Sequence, residues 1–323
     1  MEIYENKSFL WTIYSDMKRL YVSKKYTDKE MEKMENTFVL RSKIDHIFHE
    51  NIDIYTEDGR LLIKFRKNVL PKKDTAQFFD ATHEFTHKAV TGNRGSATGS
   101  TKKNVRDNPR VKSAILGYFD RWAPKQKLQI KHSALNSLLE ARETRFSIEN
   151  PEKFKKTFPL VQRINEQYKK LLPDYFKKQN KKAKKTAFKI PKTSFTTITT
   201  NINFQTSIHK ATGDDGEGFG NLVVIERGRY EGSETCLPQY GVGVDVREGD
   251  VLFMDVHEWH GNLPIVSKEK TSIRMSVVCY LRTKLWERTK NMTVKNKKAH
   301  LDMVQQIKEE YQKNKTKKYK TGK

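Results

Sequence analysis

The spacing of hydrophobic residues divides the chain at about residue 195. On the N-terminal side, most segments have charged or apolar residues three and four positions apart, as in helices, with a few strands between them. On the C-terminal side, the period changes to two, and short strands follow one another between glycine-containing turns. Helices are predicted at 27–37, 74–90 and 132–178, and strands at 60–70, 113–122, 195–210, 221–228, 241–246, 250–256 and 271–283.

Several short strands at this rhythm indicate a jelly roll and not alternating βαβ units. We therefore predict an α+β protein whose core is a double-stranded β-helix (jelly roll) over residues 195–285. A helical, basic N-terminal region over 1–194 would pack on this core, and a basic helical tail would cover 286–323. Residues 177–192 are rich in lysine and show no apolar face, so they are predicted to form an exposed loop or arm.

The net charge of +24 over 323 residues is distributed unevenly. Residues 195–285 hold nine Lys and Arg against twelve Asp and Glu, so the positive excess lies in the flanking regions. Such surroundings suit a polyanion, most simply nucleic acid, although a general enrichment in lysine would produce the same balance. The basic segments 101–112, 177–192 and 313–323 are predicted to contact phosphates.

Hydropathy and cysteine content both favour an intracellular protein that does not span a membrane. No run of 18 apolar residues occurs, so no transmembrane helix and no membrane partner are predicted. The two cysteines, Cys236 and Cys279, lie far apart in strand-like segments, which favours small buried thiols in a reducing, intracellular compartment.

One candidate metal site is the pattern His83-Glu84-Phe85-Thr86-His87, which matches HExxH. On a helix the two histidines would share a face and could bind zinc, with Glu84 as the general base. No third His or Glu follows closely, and Phe85 suggests a helix that packs against a core. We therefore predict that this match is incidental.

The second candidate combines His209, His260 and Arg274. Non-haem iron sites use two histidines and one carboxylate on one face of the metal. Strand ends converge at the mouth of a jelly roll, so His209 and His260 can meet there, although His257 could compete with His260. Arg274 lies in an alternating strand, and a buried arginine needs an anion, for which a bidentate carboxylate is the natural partner. A β-sandwich with incidental histidines is the alternative.

These segments resemble the Fe(II)/2-oxoglutarate dioxygenases, and within them the TET/JBP-like group that oxidises 5-methylpyrimidines in nucleic acid. The resemblance implies that His209 and His260 bind Fe(II). It also implies that Arg274 holds the far carboxylate of 2-oxoglutarate, with Ser276 assisting and Asn203 beside them. The resemblance covers about residues 90–285 and is carried by NRGSATG (93–99), LGYFDR (116–121), NINFQTSIHK (201–210), YEGSETCLPQ (230–239), GDVLFMDVHEWHG (249–261) and Arg274-Met275-Ser276.

Position 211 departs from the family pattern His-x-Asp, because it is alanine. Three interpretations follow: Asp214 or Asp215 turns back to supply the carboxylate, the site keeps two histidines and an open position for another anion as in related halogenases, or metal chemistry is lost. We assign Asp214 as the third metal ligand, because Gly213 before it lets the chain turn back towards His209.

The function expected from this resemblance is oxidation of the methyl group of thymine or 5-methylcytosine in DNA, with Fe(II) and 2-oxoglutarate as cofactors. The target base would have to leave the stack to reach a buried iron. The enzyme would act in the nucleus or at a site of viral or host DNA replication. The alternatives are a protein hydroxylase of the same fold and a DNA-binding relative that has lost its activity.

Overall fold

A computed structural model describes residues 3–6, 9–14, 17–89, 111–120 and 140–321. The strands are β1 (Ile3–Asn6), β2 (Phe9–Tyr14), β3 (Met17–Val22), β4 (His46–Phe48), β5 (Ile52–Thr56), β6 (Leu61–Arg66), β7 (Lys112–Phe119), β8 (Arg142–Glu143), β9 (Thr197–Ile202), β10 (Gly220–Arg227), β11 (Tyr230–Gly232), β12 (Thr235–Leu237), β13 (Val242–Val244), β14 (Val251–Met254), β15 (Gly261–Asn262), β16 (Ile265–Ser267) and β17 (Ile273–Tyr280). The helices are α1 (Asp28–Met34), α2 (Lys72–Lys88), α3 (Arg145–Glu149), α4 (Pro151–Lys156), α5 (Phe158–Leu171), α6 (Pro173–Ala183), α7 (Thr283–Thr289) and α8 (Val294–Thr321).

A large mixed sheet runs through the described part of the chain. Its strand order is β1-β2-β3-β5-β6-β14-β10-β17-β9-β7-β8. Neighbours pair antiparallel, except β3 and β5, which are parallel. A smaller sheet has the order β15-β12-β13-β4, and β11 pairs with β16 as a separate ribbon. The large sheet therefore crosses the boundary predicted at residue 195.

The two larger sheets share a hydrophobic core. Ile54, Phe65 and Leu252 from the large sheet cluster with Leu237 and Val242 from the small one. Side chains from two facing sheets that interdigitate in this way form the core of a β-sandwich or jelly roll. The α+β prediction is thus confirmed, and the paired sheets are consistent with a double-stranded β-helix.

Helices cover the other face of the large sheet. Phe78 of α2 and Leu160 and Tyr168 of α5 are buried in one cluster with Val223 of β10 and Val277 of β17. The side of β17 opposite this cluster faces the space between the sheets, since successive strand residues point to opposite faces. The helical layer therefore supports the strands from behind and leaves their inner face available for polar groups.

Most predicted elements are present. Thr27 caps α1 through a capping box with Glu30, as its sequence indicates. Pro151, Pro159 and Pro173 stand in the first turns of α4, α5 and α6, where a missing N–H costs nothing. The C-terminal segment contains α7 and α8, and no described helix is long and apolar enough to cross a bilayer.

Two predictions need correction. The N-terminal region is not simply helical, because β3, β5 and β6 join the large sheet, where Ile52, Ile54 and Phe65 are fully buried. The segment 177–192 is not an exposed arm. It begins within α6, whose Gln179 is buried and donates to the Ser194 carbonyl at 3.0 Å. A hydrogen-bonded Gln takes the place of an apolar residue on the buried face of this helix, so the spacing of apolar residues did not predict that face.

Candidate functional site

Strand β17 presents alternate residues to a cavity between the sheets. Arg274, Ser276, Val278 and Tyr280 line this cavity. Met275, Val277 and Cys279 point the other way, into the helix-covered core. The two-residue period of the sequence therefore places the predicted arginine and serine on one face, two positions apart.

The neighbouring strand β9 adds polar groups to the same face. Asn201 lines the cavity, its Nδ2 donates to Ser276 Oγ at 3.1 Å, and its Oδ1 accepts from Ser113 Oγ at 2.7 Å. The structure pairs Asn201 directly with Ser276 in the strand register. Sequence reasoning missed Asn201, although it occupies the face opposite to Ile198 and Ile202 in the period-two pattern.

Asn203, which was assigned to the co-substrate, does not line the cavity. Its φ of 47° takes the chain out of the strand after Ile202. Both ends of its side-chain amide bind backbone: Oδ1 accepts from Arg274 N at 2.7 Å, and Nδ2 donates to the Ser272 carbonyl at 2.9 Å. Asn203 thus fixes the start of β17 and positions Arg274 from behind.

The cavity has a volume of about 320 Å³ and brings most predicted site residues together. His209, Ala211, Asp214 and His260 lie on its wall with Arg274 and Ser276. Its charged lining consists of three cations, Lys210, Arg274 and Arg282, and one carboxylate, Asp214. The lining is therefore electropositive and suits an anionic ligand.

His209 and His260 face each other across a short antiparallel bridge. Each backbone N–H donates to the other residue's carbonyl at 3.0 Å, and the ring centroids lie 4.3 Å apart. The backbone pairing fixes the two side chains at adjacent positions, as two ligands of one metal require. The structure thus brings the two predicted histidines together.

The tautomer of both rings is set in the same way. His209 Nδ1 lies 2.9 Å from the Ser207 carbonyl, and His260 Nδ1 lies 2.8 Å from the Glu258 carbonyl. A carbonyl only accepts, so each Nδ1 carries a proton, and in the neutral form of each ring Nε2 carries the lone pair. Burial, followed by the neighbouring His209, lowers the pKa of His260 to about 3, which keeps this imidazole neutral at physiological pH.

His257, the possible competitor of His260, has another role. Its Nδ1 lies 3.1 Å from the Ala211 carbonyl, to which it donates, and it is not part of the cavity wall. His257 therefore holds the backbone of the loop that follows His209.

The third ligand does not join the histidines in this arrangement. Among the residues that the structure describes, no three His, Cys, Asp or Glu side chains are grouped so that they could hold a metal ion. Asp214 Oδ1 lies 3.9 Å from Arg282 Nη1, and Asp215 is buried in an ion pair with Lys182. The residues present fit a divalent cation through two imidazoles, without a protein carboxylate beside them.

Arg274 is buried, with 5% of its surface exposed. Burial lowers the pKa of its guanidinium, while a hydrogen bond with Tyr230 and the charge of Glu226 act in the opposite direction. None of the described carboxylates forms an ion pair with it, although Arg247 close by pairs with both Glu226 and Asp245. A buried guanidinium in this state is suited to a bidentate carboxylate from a ligand.

Arg282 forms a buried ion pair that sequence reasoning did not identify. Its Nε and Nη2 donate to the two carboxylate oxygens of Asp120 at 3.0 and 3.1 Å, and both side chains are almost fully buried. Asp120 belongs to the segment LGYFDR, so the only signal in the sequence was the resemblance carried by that segment.

The HExxH pattern lies on α2, away from the cavity. His83 stacks on Phe79 with ring centroids 4.6 Å apart, and Glu84 is exposed and pairs with Lys88 at 2.7 Å and Lys153 at 3.7 Å. The expectation that this pattern binds no zinc stays a prediction.

The chain is similar to a known protein family and to several known proteins. Residues 132–283 match the family Tet_JBP, described as the oxygenase domain of the 2OGFeDO superfamily. Thymine dioxygenase JBP1 of Trypanosoma brucei brucei is 31% identical over 270 residues, which are 79% of this chain and 29% of the relative. The bifunctional helicase and thymine dioxygenase JBP2 of Leishmania major is 34% identical over 191 residues, 58% of this chain and 16% of the relative.

A solved structure of NgTET1 in complex with 5mC DNA has a TM-score of 0.49 and 17% identity, and covers 82% of this chain and 94% of that chain. The chain spans less than a third of the length of the two curated relatives. The family match includes His209, His260, Arg274 and Ser276. Over residues 132–283 the chain therefore belongs to the Tet_JBP family, the oxygenase domain of the 2OGFeDO superfamily.

Proposed function

We propose that this protein is an Fe(II)- and 2-oxoglutarate-dependent dioxygenase that oxidises the methyl group of a 5-methylpyrimidine, thymine or 5-methylcytosine, in DNA. The observation that carries the proposal is one cavity that holds two adjacent histidines and a buried arginine without an ion-pair partner among the described residues. The family match and the thymine dioxygenase relatives support the reaction class and the substrate.

The two histidines would hold the metal through Nε2, because both Nδ1 atoms donate to backbone carbonyls. Iron bound there would supply the redox chemistry that activates oxygen with 2-oxoglutarate as co-substrate. Both histidines lie on the wall of the cavity and are partly buried. Asp214, the expected third ligand, lies on the same cavity wall and is in ionic contact with Arg282.

Arg274 would bind the far carboxylate of 2-oxoglutarate with two parallel hydrogen bonds. Ser276 lies two residues further along the same strand face, and its hydroxyl would donate to that carboxylate while its oxygen accepts from Asn201. Asn203 would hold the backbone N–H of Arg274, and Tyr230 would hold its guanidinium. The co-substrate would thus be oriented by β17 and β9 of the large sheet, with Tyr230 of β11 beside them.

DNA is the proposed partner, and the basic helix α6 supports this. Its lysines at 177, 178 and 181 are exposed. Lys182 pairs with Asp215, next to the cavity-lining Asp214, so this helix lies beside the loop on the cavity wall. Phosphates bound along α6 would bring a base, once out of its stack, close to the cavity. The segments 101–110 and 322–323 lie outside the described residues. The proposed substrate places the protein in a compartment that contains DNA.

The direct test is mass spectrometry of nucleosides from DNA that contains thymine or 5-methylcytosine, after incubation with the protein, Fe(II), 2-oxoglutarate and oxygen. We expect an oxidised 5-methylpyrimidine with the parent protein and none with His260→Ala. Oxidation of a protein substrate and no change in DNA would favour a protein hydroxylase instead.

Ala211 favours one alternative, a DNA-binding relative without metal chemistry. Such a protein would bind DNA with an affinity that depends steeply on salt, but it would contain less than one Fe(II) per chain. Metal content measured on the same preparation therefore separates this alternative from the enzyme.

A further inference from the structure

Three short polar side chains form a row on one face of three neighbouring strands. Ser113 of β7 stands opposite Asn201 of β9, and Asn201 stands opposite Ser276 of β17 in the strand register. Their exposed fractions are 0%, 6% and 7%, so water has little access to any of them. Asn201 and Ser276 line the cavity, whereas Ser113 does not. This polar row therefore leads from the interior of the sheet to the cavity, and it ends two residues from Arg274.

The hydrogen bonds of the polar row all run in one direction. Ser113 Oγ donates to Asn201 Oδ1 at 2.7 Å, and Asn201 Nδ2 donates to Ser276 Oγ at 3.1 Å. A hydroxyl that accepts from an amide N–H must direct its own single proton elsewhere. None of the described residues accepts a hydrogen bond from the Ser276 hydroxyl. Its proton is therefore available to an acceptor in the cavity.

The orientation of the Asn201 amide decides where that proton points. A side-chain amide accepts at one end and donates at the other, and turning it over exchanges the two ends with almost no change of shape. With Oδ1 towards Ser276, the hydroxyl would donate to the amide and turn its lone pairs to the cavity. The proton of Ser113 keeps Oδ1 on the side of β7. Without that donor, Oδ1 would be a buried acceptor without a partner, and turning towards Ser276 would satisfy it.

A ligand carboxylate responds strongly to this choice. A carboxylate only accepts hydrogen bonds, so it is stabilised by a hydroxyl proton and repelled by hydroxyl lone pairs. A hydrogen bond to an ionised acceptor is about twice as strong as one between neutral groups. The direction of the Ser276 hydroxyl therefore affects a 2-oxo acid that ends in a carboxylate, and not one that ends in a methyl group.

We propose that Ser113 and Asn201 are positioning residues for the co-substrate, because they fix the Ser276 hydroxyl so that it donates to the terminal carboxylate of a 2-oxo acid bound at Arg274. The proposal rests on the proposed co-substrate role of Arg274 and Ser276. It adds a residue outside the cavity, Ser113, which acts on the ligand only through the amide of Asn201.

The test is a double-mutant cycle on the two ends of the polar row. Isothermal titration without oxygen measures the Kd of 2-oxoglutarate for the Mn(II)-loaded parent, Ser113→Ala, Ser276→Ala and the double variant. We expect Ser113→Ala to raise the Kd by about tenfold or more, as the loss of one hydrogen bond to a charged group does. The double variant should have the Kd of Ser276→Ala alone, because both changes act through the same hydroxyl.

Two controls separate positioning from a general effect on the fold. Ser147 is also a buried serine beside β7, where it accepts from Gly117 N at 2.9 Å, and it does not line the cavity. Ser147→Ala should therefore leave the Kd of 2-oxoglutarate unchanged. The second control is 2-oxopentanoate, which has the same 2-oxo acid end but ends in a methyl group. Measured in competition with 2-oxoglutarate, its affinity should be equal for the parent and Ser113→Ala. Ser113→Cys, which keeps a weak donor, should give a Kd for 2-oxoglutarate between those of the parent and Ser113→Ala.

Three results would overturn the positioning role. Equal Kd values for Ser113→Ala and the parent would show that Ser113 has no influence on the ligand. Effects of Ser113→Ala and Ser276→Ala that multiply in the double variant would show that they act separately. An equal loss of affinity for 2-oxopentanoate would show that the substitution distorts the whole site. In each case a co-substrate site at Arg274 would stand. If the parent itself binds no 2-oxoglutarate, the positioning role and the proposed function are both wrong.

Discussion

Replacing Arg274 tests the co-substrate assignment and the energetics of its burial together. Arg274→Lys keeps a positive charge but cannot form the planar pair of hydrogen bonds that a guanidinium makes with a carboxylate. Losing one charge-assisted hydrogen bond costs about 1.5–3 kcal/mol, which corresponds to an increase of about 10- to 150-fold in Kd. Arg274→Met removes both bonds and should raise the Kd for 2-oxoglutarate further still.

The same variants should not destabilise the protein without its ligand. Arg274 is 5% exposed and forms no ion pair with a described carboxylate, so the folded chain bears the cost of removing this charge from water. Glu226, whose charge raises the pKa of Arg274, still pairs with Arg247 after the change. The Tm of ligand-free Arg274→Met should therefore equal or exceed that of the parent, even though it binds 2-oxoglutarate far more weakly.

Isothermal titration of 2-oxoglutarate into the Mn(II)-loaded protein without oxygen measures the Kd, and calorimetric unfolding measures the Tm. Arg227→Lys is the matched control: Arg227 lies on the adjacent strand β10, stacks on Phe79 at 4.3 Å and does not line the cavity. Its Kd should match that of the parent. Equal Kd values for Arg274→Lys and the parent would refute the assignment, and a large fall in Tm for Arg274→Met would show that the arginine stabilises the fold.

Three further predictions follow. Asp120→Asn leaves the buried Arg282 with a weakened partner and should lower the free energy of unfolding, measured in urea, by about 3 kcal/mol. The exposed Glu84→Gln should lower it by less than about 1 kcal/mol and leave the metal content unchanged. Equal losses of stability in the two variants would contradict the burial argument. The pKa of His260 is about 3 in the folded protein, whereas its ordinary value is 6.5. Between these pH values the unfolded chain binds a proton that the folded chain does not. The contribution of His260 to stability is therefore complete above pH 6.5 and is lost as the pH falls towards 3. His260→Asn should show a shallower loss over that window, and identical pH profiles would count against it. Affinity for duplex DNA should fall by about a thousandfold or more between 50 and 200 mM salt if several phosphates are contacted; a flat dependence measured by fluorescence anisotropy would exclude the polyanion partner.

Local periodicity was sufficient for part of the site. Arg274 and Ser276 share a face because strand residues alternate, and this holds wherever the strand lies in the fold. The same rule applied to β9 would have selected Asn201. Asn203 does not line the cavity, because the strand ends at Ile202 and the chain enters a left-handed conformation that no spacing predicted.

Composition was a weaker guide where polar groups are buried. Tyr175 and Phe176 of α6 pack against the core, but after them the buried positions are Gln179 and Ala183, so residues 177–183 lack the apolar stripe by which buried helices are recognised. Its Gln179 is accommodated because Ser194 supplies a carbonyl acceptor fifteen positions away. A hydrogen-bond partner of this kind has no local sequence signature.

The sequence by itself determined most of the strands after residue 195 and the chemical types at the site: two histidines, an arginine and serine at alternate positions, and an alanine in place of a carboxylate. Only the tertiary structure decided what the residues after Ala211 can do. Thr283 and Arg282 lie about seventy positions away along the chain and hold Gly213 and Asp214 in place. Periodicity arises from the backbone geometry of neighbouring residues, so it can be recognised in a sequence. The direction of a loop carboxylate depends on partners distant in sequence, so it requires the folded chain.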